Sequence, residues 1–223
     1  MSYTFNPHKH VKIWLTNNPD VFMNFENQTR IIDMREKNPK DVINLVYDSS
    51  LLSAKGLKDL EKFCQQNNIN PVDVETFPQL SLSETEQALF KRYKEEILNL
   101  SQGGNLAVAS DILRWLSPLY QLGSYSDLDL PINSHVLPEK IEVDAPLLLN
   151  LGSLKFFGKQ EMIFSNNDYI GVVDAEKAKP QIEAIQKAIL AKLEHYESDF
   201  IQQTIDILGK DSYLNSFIID SME

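Results

Sequence analysis

The stretch ASDILRWLSPLYQLGSYSDLD, residues 109–129, predicts a helix followed by a strand, with charged side chains in both. Asp111 and Arg114 are three residues apart, so they are neighbours on the helix surface. The simplest interpretation is a local ion pair that contributes about 0.2–0.5 kcal/mol. Pro118 predicts a kink or an early end of the helix. The apolar face is broad enough for a largely buried helix and consists of Leu106, Ile112, Leu113, Leu116 and Leu119.

Two aspartates one residue apart follow this helix. Gly123 is predicted to end the helix, and the segment SYSDLD to restart the chain as a strand. In an extended strand Asp127 and Asp129 point to the same face, with Leu128 opposite. Two carboxylates on one face repel each other, and a bound divalent cation would relieve that repulsion. The alternative is a solvated turn with spare acids, because an acidic chain often contains this pattern by chance.

The flanking segments predict an α/β fold. VKIWL (11–15) and VINLVYD (42–48) have the composition of strands, and a helical pattern follows each of them. This alternation favours a largely parallel sheet. Later segments add a helix with a capping box at residues 83–100, β-rich runs at 140–158 and 161–173, a long helix with Pro180 in its first turn, and a further helix after Gly209.

Composition excludes several classes of function. The 223 residues carry a net charge of −11, which argues against a nucleic acid or an anionic membrane as the main partner. Cys64 is the only cysteine, so an internal disulfide is impossible, and its helical context predicts a small buried hydrophobe. No classical signal peptide and no segment of transmembrane length are found. His8 and His10 lack a third ligand nearby, so a structural or surface role is expected.

A resemblance to a known family rests on three collinear segments. GGNLAVASDILRWLSPLYQLGSYSDLDLPI, residues 103–132, closely resembles the nucleotide-sugar site of the D-x-D glycosyltransferases of the large clostridial glucosylating toxins and related bacterial effectors. VKIWL and VINLVYDSS resemble the first two strands of that family. The resemblance implies a GT-A-like, Rossmann-related sheet with flanking helices and additional helices at the C-terminal end. It divides the chain into a nucleotide-sugar-binding core at 1–180 and a helical part of the same domain at 181–223.

The resemblance also implies roles for eight residues, of which Asp111, Arg114, Asp127 and Asp129 would be catalytic. The uracil of a UDP-sugar would stack on Trp14, for which a place in the core of the first strand is the alternative. Asp111 and Arg114 would hydrogen-bond the hydroxyls of the donor sugar, and Asp127 would contact ribose and sugar. Asp129, with Asp127 as the second candidate ligand, would hold Mn²⁺ or Mg²⁺ between the phosphates. The other candidates beside sugar and nucleotide are Ser110, Tyr125 and Asn167, the last chosen over Asn166.

The implied function is retaining transfer of a hexose from UDP-glucose or UDP-N-acetylglucosamine to a hydroxyl of a protein. By the same resemblance, the acceptor would be a host protein such as a small GTPase, and the chain a secreted bacterial effector acting in the host cytoplasm. One alternative is a module that binds nucleotide-sugar or a host protein without turnover. A metal-dependent phosphohydrolase is a weaker alternative, because its chemistry needs more ligands around the metal.

The sequence departs from the family pattern in three ways. Leu122 stands where the family usually has the first of two glycines, so only Gly123 remains. The further acidic metal ligand and the tryptophan that covers the substrate, both expected near the end of the catalytic domain, are not found. Trp115, the second tryptophan, lies on the helix itself. The alternatives that remain are a shortened chain, a covering segment elsewhere, or donor binding without catalysis.

Overall fold

A six-stranded mixed sheet forms the centre of the computed structural model, which describes residues 2–156 and 160–195. The strands are β2 (Lys9–Ile13), β3 (Val42–Tyr47), β4 (Asn70–Asp73), β5 (Ser124–Ser126), β7 (Leu147–Phe156) and β8 (Gln160–Val172). Their order is β4-β3-β2-β5-β8-β7. The first four are parallel, and β8 is antiparallel to both of its neighbours, β5 and β7. Two short strands, β1 (Tyr3–Phe5) and β6 (Ile141–Val143), pair separately.

Six α-helices flank the sheet in the part of the chain that the structure describes, and local capping explains where several of them begin. They are α1 (Phe25–Lys37), α2 (Ala54–Gln66), α3 (Glu84–Leu98), α4 (Leu106–Leu113), α5 (Ser117–Tyr120) and α6 (Ala175–His195). The predicted capping box of α3 is present, with Ser83 and Glu86 exchanging hydrogen bonds. The break predicted at Pro118 is confirmed, because α4 ends at Leu113 and Pro118 lies in the first turn of α5.

The prediction that Pro180 occupies the first turn of the last helix is wrong. The helix α6 begins at Ala175, because the carboxylate of Asp174 accepts a hydrogen bond from the backbone N–H of Lys177. Pro180 therefore lies inside α6, as does the predicted division of the chain at residue 180. The helix expected after Gly209 falls outside the described residues.

Both faces of the sheet are covered by apolar clusters. Alternate residues of β3 separate the two faces, with Leu45 on one and Val46 on the other. On one face Val11, Ile13 and Val46 pack with Leu89, Tyr93, Val108, Ile112, Ile189 and Leu193 of α3, α4 and α6. On the other, Ile43 and Leu45 pack with Ile31, Met34, Leu60, Phe63 and Cys64 of α1 and α2. Cys64 is a buried hydrophobe, as the sequence predicted, and burial raises its thiol pKa to about 11.

Among the residues that the structure describes, no helix has the length and apolarity needed to cross a bilayer.

Two histidines connect separate segments of the chain by hydrogen bonds at the amino ends of the parallel strands. His8 Nδ1 lies 2.9 Å from Asp41 Oδ1, and His10 Nε2 lies 2.6 Å from Asp41 Oδ2. The hydroxyl of Ser134 donates to the same carboxylate, and Asn38 accepts from Ser134 at 2.9 Å. The network joins the loop after the acidic pair to the corner between α1 and β3. Both histidines therefore have structural contacts within the chain.

Gly123 allows the chain to enter β5 alongside the start of β2. Its φ of 151° is a conformation that residues with a side chain rarely adopt, and a Cβ placed there would lie 2.4 Å from the carbonyl oxygen of Lys9. The close approach follows from the pairing of Ser124 with His10. The glycine before the acidic pair is thus required by strand pairing.

We expect Gly123→Ala to lower the free energy of unfolding by more than the roughly 1–3 kcal/mol typical of a disfavoured backbone conformation, because the new methyl also meets backbone. Urea denaturation followed by circular dichroism measures the loss. Gly171→Ala in β8 is the matched control, since its Cβ would meet no atom closer than 3.4 Å. Equal unfolding midpoints for the two variants would contradict this account of Gly123.

We expect the free energy of unfolding to fall as the pH is lowered, because of the histidine network. Burial lowers the pKa of His10 from 6.5 despite the opposing carboxylate of Asp41. At a pH between the lowered pKa of His10 in the folded protein and about 6.5 in the unfolded chain, the unfolded chain binds more protons than the folded one. The free energy of unfolding therefore falls as the pH drops below about 6.5. Asp41 adds to the loss at lower pH, because hydrogen bonds from Ser134, His10 and His8 outweigh burial and lower its pKa below 3.8.

Urea denaturation at pH 7.5 and 5.5 tests this dependence. His10→Gln removes the titrating group, so we expect it to reduce the difference in free energy of unfolding between the two pH values. The exposed His135 provides the control, and His135→Gln should leave that difference unchanged. A difference that is the same in all three proteins would refute the assignment to His10.

Candidate functional site

One cavity of about 500 Å³ lies at the carboxyl ends of the parallel strands β2 and β5. The chain leaves β2 toward β3 on one side and later returns to β5 on the other, so the cavity is at a topological switch point, where α/β sheets bind ligands. All eight residues singled out from the sequence line it: Trp14, Ser110, Asp111, Arg114, Tyr125, Asp127, Asp129 and Asn167. Segments separated by more than a hundred residues thus meet in one place.

A buried ion pair forms one wall of this cavity. Arg114 Nη2 lies 2.9 Å from Asp111 Oδ1, and the same oxygen accepts a hydrogen bond of 2.9 Å from Asn167 Nδ2. Arg114 also donates to the main-chain carbonyl of Asn167 at 2.8 Å and to Ser110 Oγ at 3.2 Å. Burial raises the pKa of Asp111, although Arg114 and Asn167 oppose the rise. The pair predicted on the helix is therefore present, and Asn167 completes it from β8.

Tyr125 connects this wall to the first aspartate of the acidic pair. The Arg114 guanidinium lies over the Tyr125 ring, 4.4 Å from its centroid, as expected for a cation–π contact. The Tyr125 hydroxyl donates to Asp127 Oδ1, and burial raises its pKa so far that it remains a donor. Arg114 Nη2 is 3.6 Å from the same Asp127 oxygen. The orientation of the Asp127 carboxylate is thus fixed by two neighbours.

The prediction that Asp127 and Asp129 share one face of a strand is wrong. The strand β5 ends at Ser126, and the following residues form a turn in which the Leu130 N–H donates to the Asp127 carbonyl at 3.2 Å. The Asp127 N–H donates to the Asp168 carbonyl at 2.9 Å, which is the last bond that this edge makes to β8. Aspartate is favoured at the first position of such turns. Both carboxylates nevertheless line the cavity.

Trp14 directly follows β2, and its backbone N–H donates to the Val46 carbonyl at 2.9 Å. Its side chain packs against the apolar cluster under α1 and α2 and also lines the cavity, so the two interpretations of this residue are compatible. The indole Nε1 is buried and has no hydrogen-bond partner in the described structure. A buried donor without a partner costs about 1–3 kcal/mol, so the packing around the indole must offset this cost.

Three residues of the site region were not recognised in the sequence. Asn27 and Arg30 of α1 line the cavity, and Arg30 is held by Asn27 at 2.8 Å and by Glu26 at 2.6 Å. Lys12 lies behind the acidic pair and is almost completely buried. Burial lowers its pKa to about 8, although Asp127 and Asp129 oppose the change. A lysine in the middle of an apolar parallel strand was the available signal, because buried strands rarely contain one.

The acidic pair fits a hard divalent cation in chemistry but supplies few ligands. Carboxylate oxygens are what Mn²⁺ and Mg²⁺ prefer. Among the described residues there is no group of three or more histidine, cysteine, aspartate or glutamate side chains placed to hold a metal ion. Asp127 and Asp129 could therefore hold such an ion only together with oxygens from a ligand, as expected where a cation is shared with phosphates.

Comparisons with known proteins show the family of the chain. The chain matches the family described as Glycosyltransferase family 88 over residues 1–210. A protein of Photorhabdus asymbiotica subsp. asymbiotica named "Toxin" is 36% identical over 100 residues, which are 44% of this chain and 3% of that protein. The chain therefore corresponds to a very small part of that relative.

Two solved structures share the fold. One, described as "PaToxG Glycosyltransferase", has a TM-score of 0.59 at 20% identity, covering 98% of this chain and 76% of the other. The second, described as "Structure of Transferase", has a TM-score of 0.51 at 12% identity, covering 85% and 80%. At such identities the likeness concerns the fold alone, and it confirms the predicted GT-A-like sheet with flanking helices.

We expect Arg114→Leu to lower the free energy of unfolding by about 3–5 kcal/mol, because it leaves the carboxylate of Asp111 without its cation. Lys55→Leu is the matched control, since it breaks an exposed pair with Asp59 on α2 that is worth about 0.3–0.5 kcal/mol. Urea denaturation measures both losses. An Arg114 variant as stable as the Lys55 variant would show that the ion pair does not hold the wall of the cavity.

Proposed function

The chain belongs to glycosyltransferase family 88, and we propose that it transfers a hexose from a UDP-sugar to a hydroxyl of a protein. The observation that carries the donor assignment is the meeting of Trp14, the Asp111–Arg114 pair and the acidic pair on one cavity at the switch point of the sheet. An aromatic face, a polar clamp and paired carboxylates correspond in order to a base, a sugar and a diphosphate. UDP-glucose and UDP-N-acetylglucosamine are the proposed donors, and retention is the proposed stereochemistry.

At the nucleotide end, Trp14 would stack on uracil. The indole packs against the apolar cluster under α1 and α2 and also lines the cavity, so its position is set by contacts within the chain. A rigid aromatic surface binds a planar base at low entropic cost.

At the sugar end, Asp111 and Arg114 would bind hydroxyls. Asn167 and Arg114 both donate to Asp111 Oδ1, which leaves the second carboxylate oxygen to accept from a sugar. Because Arg114 is fixed by Asn167, Ser110 and Tyr125, its remaining donors have a set direction. Such a preorganised clamp would hold the sugar ring for attack by the acceptor hydroxyl.

Between the two ends, Asp127 and Asp129 would face the diphosphate. They would hold Mn²⁺ or Mg²⁺ by carboxylate oxygens, and such an ion supplies neutralisation of the charge that develops on the leaving UDP. Tyr125 would keep Asp127 oriented toward ribose and sugar by donating to one of its oxygens. This arrangement assigns separate tasks to the two acids of the D-x-D motif.

The acceptor is proposed by family and by similarity. The match to a Photorhabdus protein named "Toxin" supports action on a host protein. The resemblance to the clostridial toxins suggests a small GTPase as one such acceptor. The same match supports equally that the chain acts in the host cytoplasm as a secreted effector. Neither proposal depends on the details of the donor cavity.

Incubation with several UDP-sugars and Mn²⁺, followed by measurement of free UDP, tests the donor proposal. We expect release with one preferred sugar and a fall of at least about 100-fold in Asp111→Asn and Asp129→Asn, since each change removes charge aimed at the reacting groups. The exposed Asp59 of α2 gives the control variant Asp59→Asn, which should match the wild type.

Calorimetry with UDP-glucose and UDP-N-acetylglucosamine separates the two remaining outcomes. Binding without UDP release would support the alternative of a donor-binding module without turnover. Absence of binding by a folded protein would reject the cavity as a nucleotide-sugar site.

A further inference from the structure

Lys12 is a buried cation that makes none of the proposed contacts with the nucleotide-sugar. It is 2% exposed and pairs across β2 and β3 with Leu45, so its side chain enters the apolar face under α1. The surroundings include Ile31, Met34 and Ile132. An ammonium in such a place costs several kcal/mol of desolvation unless it makes compensating contacts. Its partners therefore indicate its role.

Both hydrogen bonds of Lys12 go to the point where the acidic turn begins. Lys12 Nζ donates to Ser126 Oγ at 2.7 Å and to the Asp127 carbonyl at 2.6 Å. The same carbonyl accepts the Leu130 N–H that closes the turn, and the Asp127 N–H is held by Asp168. The backbone of Asp127 is thus fixed on both sides, and Lys12 is the charged donor among the hydrogen bonds to its main chain described here.

The turn lies between two cavities. Leu128 and Asp129 line the proposed donor cavity on one side and a cavity of about 100 Å³ on the other, in which Lys12 contributes to the wall. Lys12 itself does not line the donor cavity. Without the ammonium, the turn could settle back into the smaller cavity and withdraw Asp129 from the donor. The positive charge behind the turn also attracts both carboxylates.

We propose that Lys12 is a positioning residue of the donor site: from behind the sheet edge, its ammonium holds the Asp127–Asp129 turn so that both carboxylates face the donor cavity. The proposal rests on the proposed function, because it concerns the same site. Lys12 would act through the turn and would not touch the nucleotide-sugar. A purely structural lysine would instead affect folding stability and leave the ligand affinity of the folded protein unchanged.

Lys12→Met tests the proposal, since methionine keeps the length of the side chain in apolar surroundings. UDP is titrated by calorimetry into the full chain, once with Mn²⁺ and once with EDTA, and the ratio of the two affinities is the readout. We expect the Mn²⁺-dependent gain to fall about tenfold or more, as when the outer-shell support of a metal ligand is removed. The affinity in EDTA should change much less, because Trp14, the proposed contact of the uracil, is intact.

Two further variants complete the experiment. Lys9→Met is the matched control, because Lys9 lies in the same strand but is exposed, and its gain should equal that of the wild type. Ser126→Ala removes one acceptor of Lys12 and should reduce the gain in the same direction but less. If Lys12→Met does not fold, Ser126→Ala decides the question.

Four outcomes are distinguishable. A reduced gain in Lys12→Met or Ser126→Ala, with a wild-type gain in Lys9→Met, supports the proposal. Gains equal to wild type in folded Lys12→Met and Ser126→Ala overturn it while leaving the donor site intact. A wild-type protein that binds UDP equally with Mn²⁺ and with EDTA also overturns it. A wild-type protein that binds no UDP rejects the donor site, and the positioning role with it.

Discussion

The guanidinium of Arg114 joins three elements on which the cavity depends. It lies on the last turn of α4, pairs there with Asp111, donates to the backbone of β8 at Asn167, and stacks on Tyr125 of β5. Arginine can make these contacts at once because its donors lie in one plane and point in fixed directions. A lysine would offer a single point charge and lose both the stacking and the fork. The relative placement of helix and strands at the site is therefore set by one buried cation.

The two ends of the parallel strands use buried charge differently. At the amino ends, the carboxylate of Asp41 is hydrogen-bonded by His8, His10 and Ser134, so both of its oxygens have partners within the chain. These bonds hold the loop that contains Ser134. At the carboxyl ends, Asp127 and Asp129 of the D-x-D turn line a cavity. Polar groups that the chain satisfies by itself indicate structure, whereas those turned to a cavity indicate a ligand.

Local patterns in the sequence were sufficient for most elements, whereas the eight candidate site residues came from the resemblance, and the structure brings them to one cavity. The helix periods, the capping box at Ser83 and the break at Pro118 are local signals, and the structure follows them. The prediction that Asp127 and Asp129 lie in a strand was wrong, because β5 ends where its pairing with β8 ends, at a contact between residues 127 and 168. The start of α6 was misplaced because the cap at Asp174 is a stronger signal than the proline that follows.

Lys12 shows the limit of such prediction from a single sequence. Its acceptors, Ser126 and Asp127, are 114 and 115 residues away along the chain, and only the pairing of β2 with β5 brings them together. The choice of Asn167 over Asn166 came from resemblance, and the contact of Asn167 with Asp111 is again a matter of tertiary structure. Positions that depend on the register of distant strands leave little trace in local patterns.

The charges around the cavity explain why an acidic chain would need help to bind a diphosphate. Among the residues that line it, Arg30 and Arg114 are the cations, whereas Asp111, Asp127 and Asp129 are the anions, so the lining is negative when all are ionised. The whole chain, at −11, adds no attraction for an anion. Lys12 brings the local balance to neutral but remains behind the turn. A divalent cation at Asp127 and Asp129 would make the same wall positive, and affinity for UDP would then depend strongly on that ion.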